Sequence, residues 1–524
     1  MISHLSEKIR LLLSNPNDLG KSVTAFGGTV LLASALITGA TAILQQLGVL
    51  EGLELAAYDQ LVRSRPDEGL DERLLVVAIN DADIQQQNQF PIHDNTLTEV
   101  LAKLEEYQPR AIGIDILRDV PIGEGRAGLT NLLKQNDNII AVCKLSSEDE
   151  PGNPAAPGVP EERVGFADLP LDPDTSIRRS ILVSTPTPPK TPIEKPHLCN
   201  YDDPENQIDS LALQLAVLYL AEEGIEPEPT EYGELKLGPT VFRPLEDNAG
   251  GYYSAGAVDY QLMLNYRSAE NAAKQVSITE VLEGKVEPNL VKNRVVLIGY
   301  TTTTANDDFT TPYSAAGQDR VEMPGVVIHA QSVSQILSAV LDNRPLIWYW
   351  PQWGEILWLF GWSVVGGSIA WSIHRPWLFA LAGGSAIALL YGNSYLLFLQ
   401  AGWIPLVPPA IALVATAGGV VIIDRYGQTI SKSVKTFLRL NIEIDQEQKE
   451  EQVAEITETE YFQNLQQKAQ QLREQKDNST TNNPVSSSPS ETEEPESEPT
   501  DTDDYFGNLG QKGKRFRKKD EESN

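Results

Sequence analysis

Four long apolar runs constrain this chain more than anything else in it. Residues 23–47, 354–373, 377–399 and 403–423 each approach the ~20 apolar residues an α-helix needs to cross about 30 Å of hydrocarbon, and none has a charge near its centre. The sequence therefore predicts four transmembrane helices. The first run is too long for the apolar part of a signal peptide and lacks a small-residue cleavage site.

Basic residues orient the spans. Lys8, Arg10 and Lys21 precede the first, His374 and Arg375 fill the turn between the second and third, and Arg425, Lys432, Lys435 and Arg439 follow the fourth. The opposite flanks carry Glu51 and Glu54, or the uncharged turn around Gly402. The positive-inside bias places residues 1–22 and everything beyond 423 in the cytoplasm of a plasma (inner) membrane, and 51–343 outside it. Trp348, Tyr349, Trp350 and Trp353, within the interfacial segment that opens 344–373, read as an aromatic belt. The whole chain carries a formal net charge of −32, which argues against a nucleic-acid partner. Each span holds a glycine pair: Gly27 and Gly28, Gly366 and Gly367, Gly383 and Gly384, Gly418 and Gly419. All four pairs fall at one depth, one to two turns from the cytoplasmic face, which predicts a tight waist of closely packed helices.

The external segment reads as an α/β domain. Buried-strand runs occur at 74–80, 111–117, 138–143 and 294–300, with further candidates at 179–184 and 261–266. Amphipathic stretches lie between them, one beginning at Asn95 and one reading "QIDSLALQLAVLYLAEE". Strands alternating with helices predict a largely parallel sheet covered on both faces. Residues 146–160 and 184–206 are too rich in Pro, Gly and acid to be elements, and read as loops.

Candidate site residues in this domain are acidic. Asp81 and Asp83 follow one strand run, Asp115 interrupts another, and Asp307 and Asp308 come soon after a third. In an open parallel sheet, ligands bind beyond the carboxyl ends of the strands, so these acids form either a ligand-contacting cluster or a structural one. Asp115 would be costly to bury unpaired, and Arg178 and Arg179 are its candidate partners. No catalytic residues are expected. The five histidines have no metal-binding spacing, no nucleophile elbow or phosphate loop is present, and His329 reads as a packing residue at a strand-to-helix junction. Neither a metal nor a cofactor is expected. Cys143 and Cys199 are the only cysteines, and both lie on the side where disulfides persist. Pairing would pin the Pro-rich loop; an unpaired, buried Cys143 is the alternative.

The segments "AAYDQLVRSRP", "LLVVAINDADI", "FPIHDNTLTEVLAKLEEYQPRAIGIDIL", "GFADLPLDPDTSIRRSILV", "LNYR", "LVKNRVVLIGYTTTTANDDFTTPYS" and "EMPGVVIHAQSV" follow one another across nearly all of 51–343. In that order they resemble the CHASE type 2 extracytoplasmic sensory domain of bacterial receptors. The resemblance implies a sensor for an unknown extracytoplasmic ligand, with one span before it and three after. Members of that family commonly continue into a histidine kinase, a nucleotide cyclase or a Ser/Thr kinase, and no such signature follows here. This chain also has "FPIHD" where many members run from an aromatic-Pro pair into Pro-Arg.

Output is therefore expected from the tail. Residues 424–475 read as a juxtamembrane helix or short coiled coil, 476–504 as a disordered linker of Ser, Thr, Asn, Pro and Glu, and 505–524 as a basic end. A short phrase occurs on both sides of the linker. Tyr461, Phe462, Asn464, Leu465, Gln467 and Lys468 return as Tyr505, Phe506, Asn508, Leu509, Gln511 and Lys512. At about 100° per residue the aromatics and the leucine share one helical face. Asn and Gln recur in register, which lipid binding would not require, so the copies read as docking motifs for a cytoplasmic protein partner. The expectation is a membrane sensor or adaptor without an enzyme of its own, able to form a homo-oligomer. A structural anchor for a cytoplasmic assembly, with a lipid-interacting tail or an outer domain that binds envelope components, is the alternative.

Overall fold

Four of the six expected strand runs, 74–80, 111–117, 138–143 and 294–300, come together in one sheet, and the runs at 179–184 and 261–266 pair with each other in another. The computed structural model describes residues 16–201, 203, 206–253, 259–270, 272–314 and 322–423, five isolated tail positions (464, 467–469 and 471), and side chains from residue 28 onward. The chain divides into two units, Met1–Thr429 and Ile430–Asn524.

Numbered along the chain, β1 (Leu74–Ile79), β2 (Ala111–Asp115), β3 (Ile139–Cys143), β4 (Val164–Phe166), β11 (Lys274–Ser277) and β12 (Val295–Tyr300) form a six-stranded sheet in the order β11-β1-β12-β2-β3-β4. Every neighbouring pair is parallel. All six residues of β1 are buried, which is why it reads as an unbroken apolar run instead of an alternating one. On one face Leu75, Val77 and Ile79 pack with α4 (Asp94–Glu106), α5 (Arg126–Gln135) and α7 (Ile278–Leu282). On the other, Leu74 and Val76 meet α6 (Leu211–Ala221) and α8 (Gly325–Leu341). The result is the expected three-layer α/β architecture.

Smaller sheets flank it. β5 (Arg179–Ser184) lies between β6 (Ile208–Asp209) and β10 (Tyr260–Met263), all antiparallel. β7 (Pro227–Pro229), β8 (Leu235–Leu237) and β9 (Thr240–Phe242) form an antiparallel three-stranded ribbon, and β13 (Asp308–Phe309) pairs with β14 (Met323–Pro324). Helix α3 (Asp81–Gln87) is closed by a capping box between Asn80 and Asp83. Asp83 also accepts from the backbone N–H of Thr279, so that carboxylate is spent on structure.

Two helices precede the sheet, α1 (Pro16–Gln46) and α2 (Glu51–Ser64), and three follow it: α9 (Gln352–Ser372), α10 (Pro376–Phe398) and α11 (Val407–Ile423). Among the described residues, two helices are long and apolar enough to cross a membrane, Gly28–Gln46 within α1 and Pro376–Phe398. α11 is shorter, and the Trp, Ser and Gly residues of α9 lower its hydropathy. Along α9 the buried positions are Glu355, Leu359, Ser363, Gly366, Gly367 and Ala370, a stripe whose C-terminal half is made of small residues at helical spacing. Ser363 shares a 2.6 Å hydrogen bond with Thr416 of α11.

Among the described side chains of the four glycine pairs, only those of α9 lie in a close helix crossing. A Cβ at Gly366 would stand 2.1 Å from the Leu413 carbonyl oxygen, and one at Gly367 2.9 Å from Val30. At Gly28, Gly383, Gly384, Gly418 and Gly419 a Cβ would meet nothing within 4 Å, and Gly27 lies outside the described side chains. The expected four-helix waist is thus one crossing of α1, α9 and α11. Which side of each helix its glycines occupy was not legible in the sequence.

β15 (Trp348–Tyr349), between α8 and α9, pairs in parallel with β16 (Gly402–Trp403), between α10 and α11. The Trp403 ring is fully buried against Tyr58, Tyr252 and Phe398. In the tail, Asn464, Gln467, Lys468, Ala469 and Gln471 are helical and exposed. The remaining motif positions, Tyr461, Phe462, Leu465, Tyr505, Phe506, Asn508, Leu509, Gln511 and Lys512, lie outside the described residues, as does the linker.

Candidate ligand-binding site

After β12 the chain turns to α8 on one face of the sheet; after β2 it turns to α5 on the other. Such a reversal opens a crevice beyond the strands' carboxyl ends. There the structure has a cleft of about 700 Å³. β2 delivers Asp115 to it, β3 is followed by Lys144, β4 by Asp168, and β12 ends on Tyr300 before the segment that carries Asp307. α8 contributes His329 from its second turn. Phe90, Leu117, Leu169, Leu171 and Phe309 supply apolar wall.

The charged groups of the cleft are poorly matched to one another. Asp115 has 8% of its side chain exposed, and its Oδ2 is buried with no hydrogen-bond partner. The nearest basic group is His329, whose Nε2 lies 3.8 Å from Asp115 Oδ1. Burial pushes the Asp115 carboxyl up to about 7, and burial followed by repulsion from Asp115 does the same to Asp307. Burial lowers the His329 pKa and raises that of Asp168, which accepts a 2.9 Å hydrogen bond from the Leu145 N–H. Asp307 rests over the first residue of α8. A Cβ at Gly325 would stand 2.7 Å from its Oδ2, so the glycine leaves the room the carboxylate occupies. Lys144 is drawn to Glu150, and Arg118 donates to the Ile92 carbonyl at 2.7 Å. Asp94 of "FPIHD" is fully buried and takes Arg126 at 2.9 Å, which fixes the loop bordering the cleft.

The expected acidic cluster is therefore split. Asp115 and Asp307 line the cleft. Asp83 caps α3, Asp81 accepts from the Thr302 hydroxyl, and Asp308 stands outside the cleft lining. Among the described residues no cluster of three His, Cys, Asp or Glu could hold a metal ion.

Arg178 and Arg179 do not neutralise Asp115, and that expectation is corrected. Arg178 grips Asp59 of α2 with two bonds of 2.7 and 2.8 Å, Asp172 at 2.8 Å and Asp174 at 2.6 Å. Arg179 reaches Asp172 and Gln261. Arg179 opens β5 in the smaller sheet and Arg178 immediately precedes it, where α2 and the 171–174 segment supply their acidic partners. His329 is the residue that sequence reasoning undervalued. α8 is buried along almost its whole length and offers no amphipathic pattern, so nothing local showed that its histidine faces the acids.

Cys143 and Cys199 form a disulfide between the end of β3, beside the cleft, and the Pro-rich loop. No curated protein and no solved structure matches the chain. The model of one family, the CHASE2 domain, matches residues 33–368, which takes in the sheet, its helices, most of α9 and part of α1. With well over half its length covered, the chain belongs to the CHASE2-domain family, whose domain is a sensory one.

Proposed function

We propose that this chain is a bacterial membrane sensor and adaptor. The CHASE2 domain takes up a small extracytoplasmic ligand in the strand-end cleft. Four helices, α1, α9, α10 and α11, span the bilayer with both termini in the cytoplasm. The duplicated tail motif recruits a cytoplasmic protein, and the chain carries no enzymatic output of its own.

One observation carries the reading. The segment that lines the cleft at Ala167, Asp168, Leu169 and Leu171 continues directly into Asp172 and Asp174, which hold Arg178, and Arg178 holds Asp59 of α2. Helix α2 follows α1 after a four-residue turn. An ion network thus joins the cleft wall to α2, which the four-residue turn connects to α1. Large apolar side chains left exposed on all four helices, among them Leu32, Leu36, Leu357, Leu381, Leu389, Val414 and Ile422, support four spans, because such surface suits lipid.

The test is capture of the full-length chain from its native membranes, comparing wild type with Phe462→Ala plus Phe506→Ala. Cytoplasmic proteins retained by the first and lost by the second support the adaptor reading. Identical sets refute it.

A further inference from the structure

We propose that the cleft binds an organic ammonium ion: a primary amine whose charged head reaches Asp115 and Asp307 and whose apolar body lies against Phe90, Leu169 and Phe309. The inference rests on the sensor reading of the cleft and adds the class of ligand to it.

Three observations converge. Asp115 lines the cleft, and its Oδ2 is buried and accepts no hydrogen bond, an omission that costs about 1–3 kcal/mol unless a ligand supplies a donor. No described Lys or Arg lies within 4 Å of Asp115 or Asp307, so the negative end of the cleft lacks a built-in counter-charge. The walls are largely apolar, and the Phe90 and Tyr300 rings meet edge to face at 5.8 Å at the cleft, a surface that suits both an apolar body and a cation. An ammonium head has donors only and matches carboxylates that have acceptors only. An anionic ligand would face Asp115, Asp168 and Asp307 together. A bare divalent ion finds no described three-ligand cluster.

The same arrangement makes binding depend on pH. The titratable and charged groups that line the cleft with the pair are Asp168 after β4, His329 on α8, Lys144 after β3, Arg118 after β2 and Tyr300 at the end of β12, and the Asp308 charge acts on Asp307 from outside the lining. Burial keeps Asp115 and Asp307 protonated up to about neutrality, so an arriving ammonium ion must displace a proton. Affinity then rises with pH, by up to about tenfold per unit for each proton released.

Calorimetric titration of the full-length chain in lipid nanodiscs tests this, with 2-phenylethylamine, butylamine and the anion 3-phenylpropionate as probes at about pH 6 and pH 8. Both amines should bind, more tightly at the higher pH, and the anion should not. Asp115→Asn should weaken amine binding at least tenfold, and Leu169→Trp, which narrows the wall without touching a carboxylate, should weaken phenylethylamine more than butylamine. Asp307→Asn serves as the second acid variant should Asp115→Asn fail to fold. Undiminished amine binding in both acid variants overturns the proposal. So does binding of phenylpropionate that Leu169→Trp abolishes, which would keep the cleft as the sensing site. Absence of amine binding up to about 10 mM overturns it too, and leaves the adaptor reading to the tail-capture result.

Discussion

Replacing Arg178 with methionine probes the link between the cleft wall and α2. Arg178 has 1% of its side chain exposed, and its partners Asp59 and Asp172 have 6% and 0%. Asp172 would keep Arg179 at 2.9 Å and the Tyr252 hydroxyl at 2.8 Å. Asp174 is half exposed and loses little. The consequence falls on Asp59, which loses both bonds of a bidentate pair in a buried site. Orphaning a buried charge costs roughly 3–5 kcal/mol, but a carboxylate has a way out. It takes up a proton, and from an ordinary pKa near 4 that costs about 4 kcal/mol at pH 7 and only about 1.5 kcal/mol at pH 5. The smaller penalty prevails, so the defect should be near 3–4 kcal/mol at pH 7 and shrink by half or more at pH 5. Hydrogen exchange on the full-length chain in nanodiscs reads this directly. Protection of α2 should fall by a few hundredfold at pH 7 and recover most of the loss when Asp59→Leu is added, because no charge is then left unpaired. A loss below about tenfold, a defect of equal size at pH 5, or a double variant as damaged as the single one would refute the reasoning.

Reducing the Cys143–Cys199 bond frees a loop spanning 56 residues, worth about 4 kcal/mol by chain entropy, and should speed proteolytic cutting between residues 184 and 206 before any other site. Asp115 and Asp307 hold protons in the folded chain that they release when unfolded above about pH 4, so stability should fall as pH rises from 4 through 7; Asp115→Asn should flatten that slope by one to a few kcal/mol, measured by thermal unfolding across pH. Gly366→Ala places a Cβ against the Leu413 carbonyl and should loosen the α9–α11 crossing by about 1–3 kcal/mol, whereas Gly383→Ala should be neutral, as read by resistance to detergent denaturation.

What the sequence revealed, and what it hid, follows from which interactions are local. β1, β3 and β12 were legible because each is a short, continuous apolar run bounded by polar turns. Helix α4 was legible because only one of its faces is buried. Among the elements that escaped, β4 has three residues, β11 has one fully buried residue of four, and α8 is enclosed on every side and so shows no amphipathic pattern. The polar residues of α8 have distant partners: Gln331 accepts from the Arg267 backbone and Ser334 donates to Asp71. The site was half legible for the same reason. Strand ends gave Asp115, and the following segment gave Asp307. Neither the approach of His329 nor the diversion of Arg178 to Asp59, 119 residues away, leaves a trace in local pattern.

The junction between the domain and the helices shows how such distant contacts join the two. Glu54 stands in the first turn of α2, buried, and its two carboxylate oxygens accept from the backbone N–H groups of Leu406 and Val407 at 2.9 and 2.7 Å. These residues open α11, and the next two, Pro408 and Pro409, have no N–H to offer. Glu54 therefore satisfies the donors that the helix start leaves exposed, and its charge suits the positive end of the helix. Gly251 lies over the contact, where a Cβ would be 2.5 Å from Glu54 and 2.8 Å from Trp403, so the domain's own backbone closes on both. Five residues further along α2, about 7.5 Å by helical rise, Asp59 is tied to the cleft wall through Arg178. One short helix thus has a bond to the cleft at one point, a bond to the start of α11 at another, and a covalent connection to α1. α2 is therefore tied at once to the cleft wall, to α1 and to the start of α11, the helix after which the tail begins.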